Sequence, residues 1–205
     1  MHVSVQNSHL SFRVGLRAVG LLFVLVVLFL STGHSVAHSE ETKAPLKTGH
    51  ALLLNAYDQL QIAIHFAELA ISPHQPGQGW HRAHIQQAIN ALVGKKDPRF
   101  DKTVENPGDG HGAISYLKEA HKALTGCRPL NACEAIESTL SYISAAIDHA
   151  EESLKVGNRA GLSQRQARLF GALLVVARGD RLTVVPTTGA MAYAIRAVEL
   201  EQASF

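Results

Sequence analysis

Residues 132–156 read ACEAIESTLSYISAAIDHAEESLKV, and their pattern decides the fold class. Ile136, Leu140, Ile143 and Ile147 recur at steps of three and four. That spacing sets them on one face of a helix, with the charged and hydroxyl-bearing residues between them on the other. No glycine or proline interrupts the run, and Gly157-Asn158 closes it. Alanine is abundant, aromatics are few, and runs rich in Val, Ile and Thr with two-residue alternation are nearly absent. The chain therefore reads as all-α, a single helical bundle of five or six helices.

Toward the C-terminus, a fifth helix covers about 162–178 and Gly179-Asp180 breaks it. Leu182 to Val185 reads as a short extended piece, and Pro186-Thr187-Thr188 opens a sixth helix that runs to about Gln202. Toward the N-terminus, a third helix covers about 113–124 and Gly126 stops it. Before it lies a polar loop, Lys95 to Gly112. A second helix, about 80–93, turns Ile85, Ala88, Ile89 and Leu92 inward and stops at Gly94. The first helix, about 47–71, has Leu53, Tyr57, Leu60, Ile64 and Ile71 on one face, and Ser72-Pro73 ends it. Ala63-Ile64-His65-Phe66-Ala67-Glu68 in this helix is similar to Ala146-Ile147-Asp148-His149-Ala150-Glu151 in the fourth, a pattern an internal duplication would leave.

The N-terminal segment carries an export signature. Arg13 and Arg17 precede an unbroken apolar run from Ala18 to Leu30, and Ser35-Val36-Ala37 supplies the small residues of a cleavage site. The run has 13 residues, against about 20 for a spanning helix. Residues 1–37 are thus expected to be a signal peptide and 38–205 an exported domain, periplasmic or secreted, with no stable membrane span after cleavage. Retention of the segment as an anchor is the alternative. Cleavage removes two arginines and leaves 17 basic and 17 acidic side chains, so no basic field remains to attract nucleic acid. In an oxidising compartment Cys127 and Cys133 are expected to form one disulfide across the turn between the third and fourth helices.

The histidines are the residues with chemistry to offer. Nine fall after residue 37. His65 has Glu68 three residues on, His81 has His84 and then Gln87, and His149 has Glu152. Residues three apart are neighbours on a helix surface, so one helix can offer two donors to one ion and a facing helix can complete the shell. Neutral imidazole suits copper, zinc, nickel and iron, and carboxylates extend the set. The bland reading of each pair is an ordinary surface contact. The loop residues Asp97, Asp101, Asn106 and Asp109 could supply oxygens to calcium, but their spacing is not that of an EF-hand. An ordered loop in which Asp109 caps the third helix is the simpler reading. No G-x-S-x-G, H-E-x-x-H, phosphate-binding glycine loop or C-x-x-C-H is present, so no catalytic role is assigned.

The segment Ala146-Ile147-Asp148-His149-Ala150-Glu151-Glu152-Ser153-Leu154-Lys155 resembles the histidine-bearing helices of small periplasmic metal-binding proteins. With its weaker counterpart in the first helix, the likeness covers about a quarter of the exported chain. It implies an exported helical bundle that binds divalent metals such as copper. This chain carries fewer histidines than that pattern, which fits a single defined site better than a high-capacity buffer. His84 to Gly112, with Asn90, Gly94 and the Pro-Gly-Asp-Gly turn, also resembles a recurrent exported helical domain to which no activity attaches.

The expected function is binding of a transition metal ion by His65, Glu68, His81, His84, His149 and Glu152, with affinity falling as pH drops through about 6.5. The alternative is a cofactor-free structural or protein-interaction module of the cell envelope, with the apolar sixth helix docking an envelope partner.

Overall fold

The computed structural model describes the backbone of residues 15–73, 77–125, 131–156, 160–179 and 190–204, and side chains from residue 43 onward within these spans, Gln78 and Ala160 aside. Six helices and no strand occur among them: α1 (Gly15–Ile71), α2 (Gln78–Val93), α3 (Ala113–Leu124), α4 (Ala132–Val156), α5 (Ala160–Arg178) and α6 (Ala190–Ala203). The bounds of α3 and α4 are those the periodicity predicts. Helix α1 begins 32 residues earlier than the predicted Lys47 and holds Pro45 inside it. The segment before Lys47 is rich in helix-compatible residues, and the single proline does not end the helix. The predicted extended piece at 182–185 and the expected disulfide partner Cys127 lie outside the described residues.

The chain divides into two units, 1–42 and 43–205. The described part of the first is helical backbone. The second contains the whole described core, which starts at Leu46 and draws on all six helices. Its largest buried side chains include Leu53, Leu60, Ile85, Ile89, Leu92, Leu117, Ile136, Ile143, Ile147 and Phe170. Each such side chain contributes roughly 1.5–3 kcal/mol on burial. The predicted inward faces hold well: Ile85, Ala88, Ile89 and Leu92 of α2 are all buried, and in α4 only Leu140 is partly exposed. Among the described residues from 43 onward, no helix is long and apolar enough to cross a membrane.

Helix α4 is the central element of this unit, packing against α5 most extensively and also against α2, α3 and α6. Alanines let these helices approach closely; Ala135, Ala146 and Ala150 of α4 and Ala167 and Ala177 of α5 are buried. The α4–α5 pair runs antiparallel, with His149 bonded to Gln166 and Ser153 to Ser163. Helix α6 buries Met191, Ala192, Ala194, Ile195, Ala197 and Val198 in the same core. Most of its apolar residues are therefore used internally, while Leu200 is exposed.

The long loop between α2 and α3 has no regular structure yet is closely held. Asn90, fully buried on α2, clasps it by donating from Nδ2 to the Asp101 carbonyl at 2.9 Å and accepting from the Asp101 N–H at 3.0 Å. Gln59 of α1 accepts the Asp109 N–H. At the base, Gly94 (φ 73°) lies so close to the His111 carbonyl that a Cβ would sit 2.1 Å from its oxygen. Both the left-handed conformation and the contact demand glycine. Asp109 does not cap α3 as expected. The N-cap is Gly112, and Asp109 Oδ1 accepts the His111 N–H at 2.8 Å, fixing the turn one step earlier.

Candidate functional site

The expected ligands fall at separate places. Glu68 and Glu152 are exposed on α1 and α4. His65 is also exposed, with its ring edge-on to Phe66 at 5.4 Å between centroids. His149 on α4 has Nδ1 2.6 Å from Gln166 Oε1 on α5. The structure thus places His65 beside Phe66 and His149 beside Gln166. Glutamate partners are found across the fold instead: His50 of α1 with Glu199 of α6, His121 of α3 with Glu137 of α4, and His111 with Glu119. These pairs are solvent-facing to varying degrees and individually contribute little.

His81 has the most bonds of the group. Its Nδ1 lies 2.7 Å from the Ala70 carbonyl of α1, and a carbonyl only accepts, so Nδ1 carries the proton. Nε2 lies 2.9 Å from Ser163 Oγ and 3.1 Å from Ser153 Oγ. The two serines, both buried, also lie within bonding distance of each other and of each other's carbonyls, so their two hydroxyl protons are shared among these acceptors. This is a buried polar clasp joining α1, α2, α4 and α5. A serine beside a histidine is the pairing of a nucleophile and its base, but these hydroxyls are spent on the clasp. Both imidazole nitrogens of His81 are likewise occupied, which withdraws it from the set of available ligands.

His84, three residues on, is different. It is 8 % exposed and sits among aromatic rings, 4.3 Å from Trp80 (edge-on) and 5.5 Å from Phe66 between centroids. Its Nδ1 faces Gln87 Oε1 at 2.6 Å. With the amide oxygen on that side, Nδ1–H is the donor and Nε2 keeps a bare lone pair. That Nε2 is buried and has no hydrogen-bond partner. Leaving such a group unsatisfied costs about 1–3 kcal/mol. A donor held in one tautomer by a neighbouring oxygen, with the other nitrogen open, is the arrangement of an imidazole prepared for a metal ion.

Phe66 touches both His84 and His65, so one ring links two of the expected ligands at the α1–α2 seam. Trp80, 44 % exposed, forms the outer edge of this cluster. Neither aromatic stood out in the sequence, although Trp80 lies four residues before His84 and is the chain's single tryptophan. Among the described residues no three histidine, cysteine, aspartate or glutamate side chains gather as a complete metal shell.

The loop carboxylates are spent locally. Asp97 accepts from Arg99 Nε and Nη2, and this pairing holds its carboxyl below the usual range. Asp101 accepts from the Thr103 hydroxyl and N–H, with the same effect. Asp109 is raised by burial, yet bonds from the Tyr116 hydroxyl and the His111 and Gly112 N–H groups outweigh this and lower it. The Tyr116 hydroxyl, donating to Asp109 Oδ2 at 2.6 Å, is pushed up to about 12. The carboxylates of Asp97, Asp101 and Asp109 therefore serve turns, in line with the ordered-loop reading. Compared with protein families, curated proteins and solved structures, the chain matches none.

Proposed function

We propose that this is an exported protein that binds a transition metal ion, of the copper, zinc, nickel or iron group, through the imidazole of His84. One observation carries the reading: a buried His84 Nε2 with no partner, its tautomer set by Gln87. His65 is the second ligand in this reading, because Phe66 packs against both rings. His149, with Gln166 holding its Nδ1 and Glu152 one turn on, is an outlying surface ligand. Metal would replace the missing hydrogen bond, and proton and metal would compete for the same lone pair. The reading includes cleavage after Ala37 and a Cys127–Cys133 disulfide, both of which follow from export.

Trp80 supplies the test, since its ring lies against His84. Copper or nickel added to the purified protein is expected to quench its fluorescence saturably. His84→Ala is expected to abolish this, His65→Ala to weaken it about tenfold or more, and acid to release the metal. Elemental analysis of protein prepared without chelator gives the stoichiometry. Equal metal uptake by wild type and His84→Ala would overturn the assignment. A second reading, a cofactor-free module of the envelope, draws on the exposed face of α5.

A further inference from the structure

We infer that the outer face of α5 is a docking surface for an anionic lipid membrane. Seven large apolar side chains are well exposed among the described residues, and four of them lie on this one helix: Leu162, Leu169, Val175 and Val176, between 40 and 46 % exposed. Leu169, Val175 and Val176, with exposed Ala172 between them, cluster on the C-terminal half of the helix at steps of three and four. Single exposed leucines are ordinary, whereas a cluster on one face calls for an occupant.

Charge selects the occupant. Helix α5 carries Arg165, Arg168 and Arg178 and no acid. Arg178 is committed inward, its Nη1 donating to Gln61 Oε1 at 2.7 Å. Arg165 and Arg168 are exposed one turn before Leu169 and Ala172, and among the described residues the ion pair made by Glu151 of α4 is with Lys155, not with either arginine. The face is therefore an aliphatic patch bordered by two exposed guanidinium groups. The patch has no aromatic anchor, and Leu and Val, which form it, are under-represented among the residues that dominate protein interfaces. A second copy would bring no acid on this helix to meet the arginines. Aliphatic side chains entering the acyl boundary, with arginines at the level of lipid phosphates, fit both halves of the face.

A Trp80→Phe, Val176→Trp variant of the full chain tests this, because it reports from α5 alone whatever the N-terminal apolar run does. Leu169→Trp in the same background is a second reporter, should the first disturb folding by circular dichroism. Vesicles of phosphatidylglycerol mixed with phosphatidylcholine are expected to shift the emission to the blue, and brominated acyl chains to quench it. Adding Arg165→Gln and Arg168→Gln should raise the lipid needed for half the shift at least fivefold, as should salt. No shift with lipid overturns the inference. So does an equal shift on purely zwitterionic vesicles that ignores the arginines. A shift that follows protein concentration without lipid would assign the face to a second copy instead.

Discussion

The oxygen atoms of Asp109 set the character of the loop before α3. One accepts the His111 N–H and the other the Tyr116 hydroxyl. The tyrosine is thereby held up to about 12, above the ordinary value of about 10. Its folded value exceeds the unfolded one, so the bond's contribution is complete below pH 10 and is lost as pH rises toward 12. Ultraviolet titration should show one of the four tyrosines ionising near 12, and Tyr116→Phe should remove that step. Absence of a step near 12 would count against the bond. Asp97, Asp101 and Asp109 have the opposite sign. Their contributions are present above about pH 3.9 and fall away below it, through their lower folded values. None of this was legible in the sequence beyond a dense turn signal, because which N–H each carboxylate meets depends on the turn's φ and ψ.

Helices were legible where one face is apolar and the ends are punctuated. Helix α3 ends where its periodicity stops, before Gly126, and α4 ends before Gly157-Asn158. The partner of each polar side chain was not legible, since it is set by how helices are juxtaposed. The i,i+3 spacing drew attention to His65 with Glu68 and His149 with Glu152. In the fold His149 turns to Gln166 on the next helix and His81 to serines on two others. The same juxtaposition explains Gly49. A Cβ there would lie 2.5 Å from Leu124 Cδ2 and 2.6 Å from its Cγ, so the Leu124 side chain of α3 packs directly onto α1 at Gly49 and would have to shift to admit a larger residue. Gly49→Ala is expected to cost about 1–3 kcal/mol in urea unfolding through overpacking. In a Leu124→Ala background the penalty should largely vanish, and an unchanged penalty there would place its origin elsewhere.

At the scale of the molecule, every described core residue lies at Leu46 or later, and the chain divides between Thr42 and Lys43. Protein cleaved after Ala37 should therefore keep the melting midpoint and per-residue helix signal of its core. A midpoint several degrees lower would show that the leading segment supports the bundle. The loop between α2 and α3 carries a different consequence. Its main clamps are the side chains of Asn90 and Gln59, which belong to α2 and α1. The Gln59 clamp exists only once α1 and α2 stand side by side, whereas the Asn90 clamp needs α2 alone. The Asp109 end of the loop is therefore expected to order only after the two helices have docked. Damage to it registers in the lifetime of the native state, leaving the speed of its formation nearly untouched.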